Sequence, residues 1–263
     1  MVLKNIVYLI NSDENMQKQY IGNTIIYIPD VESTNLYAIS QLSGKEVIPG
    51  TVFLTDNQTA GRGQLSNQWE SESGKNLTFS IFLKPSVIEI KRQFMISKMV
   101  CLGIVSFLND YVDDVKIKWP NDIYVGDRKI CGILIENAVM QKNISWSVIG
   151  VGLNINQTDF LSDAPNPVSV KNITGKDYDL PMMLDKLLRK IDFYYRELVE
   201  GNYEKLDGKF LKYLYRLNEW WNFKDKNREY SGKIIGVNDI GQLLIEEKSG
   251  AVNIYNFKEV KFL

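Results

Sequence analysis

The chain reads as an α+β protein, in which a mixed or antiparallel sheet with helices packed on it is followed by a small all-β domain. Three observations lead there. Residues 115–156 hold four β-rich runs joined by tight turns, which leaves no room for the crossover helices of repeated β-α-β units. Two helical stretches flank them, one apolar on most faces over residues 91–111 and one amphipathic from Asp179 onward. After Asn218 the texture changes to short strands separated by Asn-Asp-Ile-Gly and Ser-Gly turns.

Taken in order, TIIYIPD (24–30) alternates and is β-branched, a strand ended by its proline. ESTNLYAISQL follows, where Ser33 or Thr34 can cap a short helix whose apolar residues include Leu36, Ile39 and Leu42. TVFLTDNQ and NLTFSIFLKP form strands on either side of a glycine loop. Residues 91–111 are long and apolar enough for a buried helix. VKIKWP, DIYV, KICGILIEN and SWSVIGVGLNIN then form consecutive strands, with Gly126-Asp127 in one of the turns. At Asp179-Leu180-Pro181 the cap and the early proline stand in the preferred order for a helix start. Leu184, Leu187, Leu188, Ile191 and Leu198 fall on one side of that helix, and a second helical stretch runs through Phe210 and Leu214. Residues 219–263 form a small β-barrel or meander, so the expected domains are 1–218 and 219–263.

Composition removes several functions. With 263 residues, 44% hydrophobic and 24% charged, the chain can bury a core without staples. A net charge of −1 gives no general attraction to phosphate backbones or anionic membranes. Any nucleotide must be held by a local site. Cys101 and Cys131 sit among apolar neighbours and read as reduced, buried small hydrophobes of a cytoplasmic protein. Histidine is absent, which excludes Ser-His and Cys-His catalysis and most catalytic zinc sites. The N-terminal stretch lacks the cleavage site of a signal peptide, and IVYLI is too short to span a bilayer.

Four short stretches offer chemistry. STN (Ser33, Thr34, Asn35) presents donors and acceptors that suit a neutral polar headgroup, or simply a helix cap. Gln58 precedes Gly61-Arg62-Gly63, where glycines admit an anion to backbone amides and Arg62 adds charge; a plain surface turn is the alternative. Trp69 beside that loop is a platform for a flat heterocycle, unless it folds back on the core. KWPNDIYVGDRKICG brings Lys118, Asp122 and Lys129 close together, either to meet phosphate, an amine or magnesium, or as ordinary charges of a solvated hairpin. In GVGLNIN, Gly150 and Gly152 permit close approach and Asn154 can read a base edge. Neither a phosphate loop nor a dinucleotide fingerprint is present.

Their order is more informative than any one of them. STN, then QTAGRG with Trp69, then KWPND with RKICGILIE, then GVGLNIN and a small β domain together resemble the biotin protein ligase family. The resemblance runs from about Thr24 to the C-terminus. It implies a mixed-sheet catalytic domain that binds biotin and ATP, followed by an SH3-like barrel. It also implies the reaction: biotin is joined to AMP with release of pyrophosphate, then passed to one lysine of a biotin carboxyl carrier protein domain. Magnesium would accompany ATP, with Asp122 as its contact. A homodimer stays open.

By the same resemblance Ser33, Thr34, Asn35 and Gln58 hold the ring end of biotin, and Gly61, Arg62, Gly63 and Gln64 lie over the intermediate. Gly132 and Gly150 complete that part of the site. Trp69, Lys118, Asn121, Gly152 and Asn154 fall on the nucleotide side. Lys129 matches the lysine that bridges the biotin carboxylate and the α-phosphate, with Asp122, Arg62 and Lys118 as the other catalytic residues. Asp122 cannot take a proton in quantity from a lysine of pKa ~10.4, so an orienting role is implied for it.

Two departures stand out. Longer members begin with a DNA-binding domain, whereas here the pattern starts at Thr24, so a ligase without repressor activity is expected. Where many members read Gly-Arg-Gly-Arg-x-Gly-Arg-x-Trp, this chain has Gln64, Ser66 and Asn67. Two alternatives remain: a lipoate protein ligase, whose arginine and triple-glycine signature is absent, and a non-catalytic biotin or nucleotide sensor.

Overall fold

The computed structural model describes residues 6–9, 19–44, 46–64, 67–161 and 166–263. Ser66 and most of the N-terminal stretch lie outside these residues. The elements in chain order are β1 (Ile6–Leu9), β2 (Thr24–Tyr27), β3 (Asp30–Val31), α1 (Thr34–Leu42), β4 (Val52–Thr55), β5 (Asn57–Gln58) and β6 (Leu77–Leu83). Then come α2 (Phe94–Leu108), β7 (Val115–Lys118), β8 (Asp122–Val125), β9 (Arg128–Met140), β10 (Asn143–Leu153), α3 (Val170–Thr174), α4 (Leu180–Val199) and α5 (Tyr203–Tyr213). Five short strands end the chain: β11 (Trp220–Asp225), β12 (Glu229–Val237), β13 (Leu243–Glu247), β14 (Val252–Tyr255) and β15 (Val260–Phe262).

An eight-stranded sheet runs β1-β2-β4-β6-β10-β9-β8-β7, antiparallel except for the parallel pair β2–β4. The four consecutive β-rich runs pair antiparallel within it, in keeping with the mixed or antiparallel sheet expected of them. One face is closed by helices. Every residue of α2 except Phe94 and Ser106 is buried, and α4 lays Leu184, Leu187, Leu188, Ile191 and Leu198 into the same core. Gly103 lets the two helices meet, since a Cβ there would stand 2.8 Å from the Ile191 backbone. Asp179 caps α4 by accepting from Met182 N at 2.8 Å, with Pro181 just behind it. Among the described helices, α1 alone packs on the other face, over a smaller cluster of Ile28, Ala38, Phe53, Phe82 and Val148. Beyond α1 that face carries no described helix and forms the floor of a cleft.

Two local expectations change. The strand at residue 24 stops at Tyr27, and Asp30–Val31 turns aside to pair with Asn57–Gln58. Ser33 occupies the cap position of α1, yet its side chain makes no capping bond. Gln58 does that work: its Oε1 accepts from Thr34 N at 2.8 Å. The buried side of α1 is therefore polar at its start (Thr34, Asn35), while Leu36 is exposed.

The C-terminal strands form a five-stranded antiparallel sheet, β14-β13-β12-β11-β15. Its apolar residues Phe223, Ile234, Leu243 and Ile245 join the main core and do not form a separate one. Trp119 ties the sheet on, donating from Nε1 to Gly241 O at 2.8 Å and meeting the Phe257 ring edge-on at 6.0 Å. Both cysteines are buried free thiols, and burial pushes the Cys101 thiol up to about 12. No described helix is long and apolar enough to cross a membrane.

Candidate active site

Strand register builds the site. Directly opposed residues of antiparallel strands share a face, so the open face can be read in rows. One row runs Thr55, Thr78, Gly152, Gly132, Asp122, Lys118 across β4, β6, β10, β9, β8 and β7. The next runs Phe53, Ser80, Gly150, Leu134. The glycines leave two hollows where side chains would stand.

Trp69 and Asn35 fill those hollows. A Cβ on Gly152 would lie 2.3 Å from the Trp69 indole and one on Gly132 2.8 Å from it. A Cβ on Gly150 would lie 2.4 Å from Asn35 Oδ1. Trp69 thus covers a cross-strand glycine pair. It folds back onto the sheet, and it does so inside the cleft.

Lys129 reaches the same face through a β-bulge. Ile123 opposes Cys131 and Tyr124 opposes Lys129, so Ile130 is an extra residue on β9. Ile130 and Cys131 both point into the core, and Lys129 emerges on the cleft side. Strict alternation would have sent it inward. Its Nζ lies 2.8 Å from Asp122 Oδ2 and 5.7 Å from the Trp69 ring. The irregular strand start is held by residues 166–168, with Val168 N donating to Lys129 O at 2.9 Å.

These groups line one cleft of about 520 Å³. At one end the Ser80 hydroxyl lies 2.6 Å from Asn35 Oδ1 and 2.7 Å from Thr34 Oγ1. Asn35 Nδ2 donates to Leu134 O at 3.2 Å and to Glu136 at 2.8 Å, which commits the whole amide. With Gln58 Oε1 taken by Thr34, the Gln58 amide nitrogen and the Ser33 hydroxyl are left to meet a ligand. At the other end Asn154 Nδ2 donates to Val168 O at 3.1 Å, while Asn154 Oδ1 and Trp69 Nε1 are buried without partners.

The remaining expected residues divide. Arg62, Gly63 and Gln64 line the cleft. Gly61 does not; it closes the loop from behind, where a Cβ would strike Trp69 O at 2.5 Å. Asn121 is buried and its amide donates to Ile133 O within the sheet. Lys118 borders the cleft with its ammonium 4.6 Å from the Tyr124 ring and 5.2 Å from Phe262 of the C-terminal sheet. Burial pushes the Lys118 ammonium below its ordinary value, a trend Asp122 opposes and Lys129 reinforces. Sequence reasoning missed Ser80, the Ile130 bulge, and Phe257, which enters the cleft wall from the C-terminal sheet. Only register could have found the first two.

Two carboxylates line the cleft among the described residues, Glu70 and the Asp122 that pairs with Lys129. Among the described residues no three acidic, histidine or cysteine side chains gather to hold a metal ion.

The open face of the mixed sheet thus carries a glycine-floored cleft with Arg62, Lys118 and Lys129 around it. Residues 27–154 match the Biotin/lipoate A/B protein ligase family. The Bacillus subtilis bifunctional ligase/repressor BirA is 28% identical over 245 residues, covering 92% of this chain and 75% of that protein. A biotin–[acetyl-CoA-carboxylase] ligase of Paracoccus denitrificans is 24% identical over 83% of this chain and 92% of its own length. In structure, the Aquifex aeolicus biotin protein ligase in complex with biotin and ATP superposes with a TM-score of 0.75 at 26% identity, over 91% of this chain and 98% of that one. Residues 27–154 thus carry a domain of the Biotin/lipoate A/B protein ligase family, its relatives and structural neighbours include biotin protein ligases, and the protein is a ligase.

Proposed function

We infer that the protein activates biotin with ATP and transfers it to a lysine of a biotin carboxyl carrier protein domain. One observation carries this: the bulge sets Lys129 on the cleft floor, between a small polar pocket and a nucleotide-sized end. A biotin carboxylate oxygen attacks the α-phosphorus of ATP, and pyrophosphate leaves. The carrier amine then attacks the carbonyl of the mixed anhydride; the C–N bond forms, AMP leaves, and the amine's proton passes to solvent. Lys129 neutralises the meeting of carboxylate and phosphate, the step most opposed by charge. Ser33 and Gln58 would meet the ring end of biotin.

Asn154 Oδ1 is an acceptor suited to an adenine amino group, and Trp69 supplies an N–H and a ring face. Each buried orphan costs about 1–3 kcal/mol, which a nucleotide would recover. Magnesium would neutralise the polyphosphate, held on the protein side by Asp122. We read residues 1–218 as the catalytic domain, 219–263 as a docked SH3-like unit, and the protein as cytoplasmic. DNA binding forms no part of the proposal.

The C-terminal unit should matter through Phe257 and Lys118. A chain ending at Asn218 should still bind biotin but biotinylate its carrier poorly, and Phe257→Ala in the full chain should reproduce part of that loss. Turnover by either protein equal to the full chain would make the unit a passenger.

Gln64 gives a further expectation. A neutral hydrogen bond contributes ~0.5–1.5 kcal/mol where a charge-assisted one contributes ~1.5–3. The deficit of about 1 kcal/mol corresponds to retention weaker by roughly five- to tenfold. Lys75 does not line the cleft, so Lys118 is the nearer compensating cation. Gln64→Arg should slow the release of labelled biotinyl-AMP in the absence of acceptor. Equal off-rates would show that retention is independent of charge at this position.

A further inference from the structure

The two lysines of the cleft are held in different ways. Lys129 meets a carboxylate, Asp122, at 2.8 Å. Lys118 makes no ion pair among the described residues; its Nζ donates to the Tyr124 hydroxyl at 3.2 Å. Three aromatic rings surround that ammonium, with centroids 4.6 Å away for Tyr124, 5.9 Å for Tyr215 and 5.2 Å for Phe262. All lie within the ~6 Å at which a ring face attracts a cation. Tyr215 comes from the link between α5 and β11, and Phe262 from β15. With Tyr124 they line a second hollow of about 180 Å³, and among the described residues Lys118 alone lines both it and the cleft.

The rings are themselves fixed. Tyr215 N donates to Ile117 O at 2.9 Å, which lays the link beside β7 next to Lys118. The Tyr215 hydroxyl donates to Asp127 in the turn after β8, which leaves its ring to Lys118. Arg216 donates to the same Asp127 at 3.2 Å and lies 3.3 Å over the Trp221 ring. Phe262 packs edge-on against the buried Phe223 at 5.2 Å.

We propose that Tyr215 and Phe262 are positioning residues, which with Tyr124 hold the Lys118 ammonium at the nucleotide end of the cleft without a counter-ion. This rests on the reading of the cleft as a biotin and ATP site. A lysine has a flexible four-carbon stem and three N–H donors. The rings restrict the stem, and Tyr124 takes only one donor. A ring face attracts the cation yet offers no oxygen for a phosphate to displace, so the whole charge serves the polyphosphate. A carboxylate in the same place would cancel it. The C-terminal sheet and its link thereby act on the cleft although neither Tyr215 nor Phe262 lines it.

Biotin-dependent ATP–pyrophosphate exchange, run beside calorimetric titration of biotin, tests this. Tyr215→Leu should raise the KM for ATP about fivefold, or ~1 kcal/mol, the scale of a partly desolvated cation–ring contact. The kcat and the biotin affinity should hold, since the loss is of uniform binding to the nucleotide. Tyr215→Phe keeps the ring and loses only the bond to Asp127, so it should retain the wild-type KM. Trifluorophenylalanine in place of Phe262 preserves the packing and withdraws negative charge from the ring face. It should raise the KM about twofold, and it serves as the test should Tyr215→Leu fail to fold. In a Lys118→Gln background neither change should shift the KM further. A wild-type KM in both ring variants, or a shift that persists without Lys118, would overturn the cage and leave the biotin and ATP reading intact. A wild-type protein without biotin-dependent exchange would overturn both.

Discussion

Replacing Lys129 with alanine is expected to lower biotin-dependent pyrophosphate exchange at least ~100-fold in a protein that remains folded. The size follows from the chemistry. In the proposed reaction a carboxylate and a polyphosphate come into contact in a cleft walled by Trp69, Trp119 and Ile133, where unscreened repulsion is severe. Lys129 is the cation that the bulge aims at that meeting point. Stability should change little, because its pair with Asp122 is partly exposed, 23% and 30% for the two side chains, and such pairs contribute about 1 kcal/mol or less. Exchange measured beside a thermal melt separates the two effects. Near-wild-type exchange in folded Lys129→Ala would remove the residue from the reaction.

Gly152→Val should have the next largest effect, and a selective one. A Cβ there falls 2.3–2.8 Å from three atoms of the Trp69 indole. The ring is rigid and cannot yield by a rotamer wobble, so Trp69 must leave the glycine pair. The nucleotide end then loses both its platform and its shape. The KM for ATP should rise at least about tenfold, the loss expected for an aromatic contact worth ~1.5 kcal/mol. Biotin affinity should hold, because the pocket proposed for it lies one row away, at Asn35 and Gly150. Gly150→Val should do the reverse: its Cβ strikes Asn35 Oδ1 at 2.4 Å and disturbs the biotin end first. A Gly152 variant with unaltered ATP kinetics would mean that Trp69 is not part of the nucleotide site.

Much of this fold was legible because its local signals agree with its packing. The run of strands after Val115, the buried α2, and the Asp179-Leu180-Pro181 start of α4 each state one structure at every level. The C-terminal strands were legible as strands, but their sharing of the main core was not, since Phe223 or Ile234 facing that core looks no different in sequence from either facing its own. At the cleft, residue types were readable and placement was not. Lys129 is two residues from Cys131 and three from Gly132, and only the unpaired Ile130 decides which face it takes. Ser33 looked like a cap, while the bond to Thr34 N at the start of α1 comes from Gln58, twenty-four positions after Thr34 in the chain. Ser80 sits inside an apolar strand and carries no signal until the register sets it opposite Gly150.

The most direct test of the account is ATP–pyrophosphate exchange by the wild-type protein, with biotin and with lipoate as the only carboxylic acid supplied. The account predicts exchange that depends on biotin, is silent with lipoate, and yields a biotinyl-AMP that a biotin carboxyl carrier protein domain consumes with release of AMP. Exchange driven by lipoate, or no exchange with biotin that nevertheless binds, would contradict it.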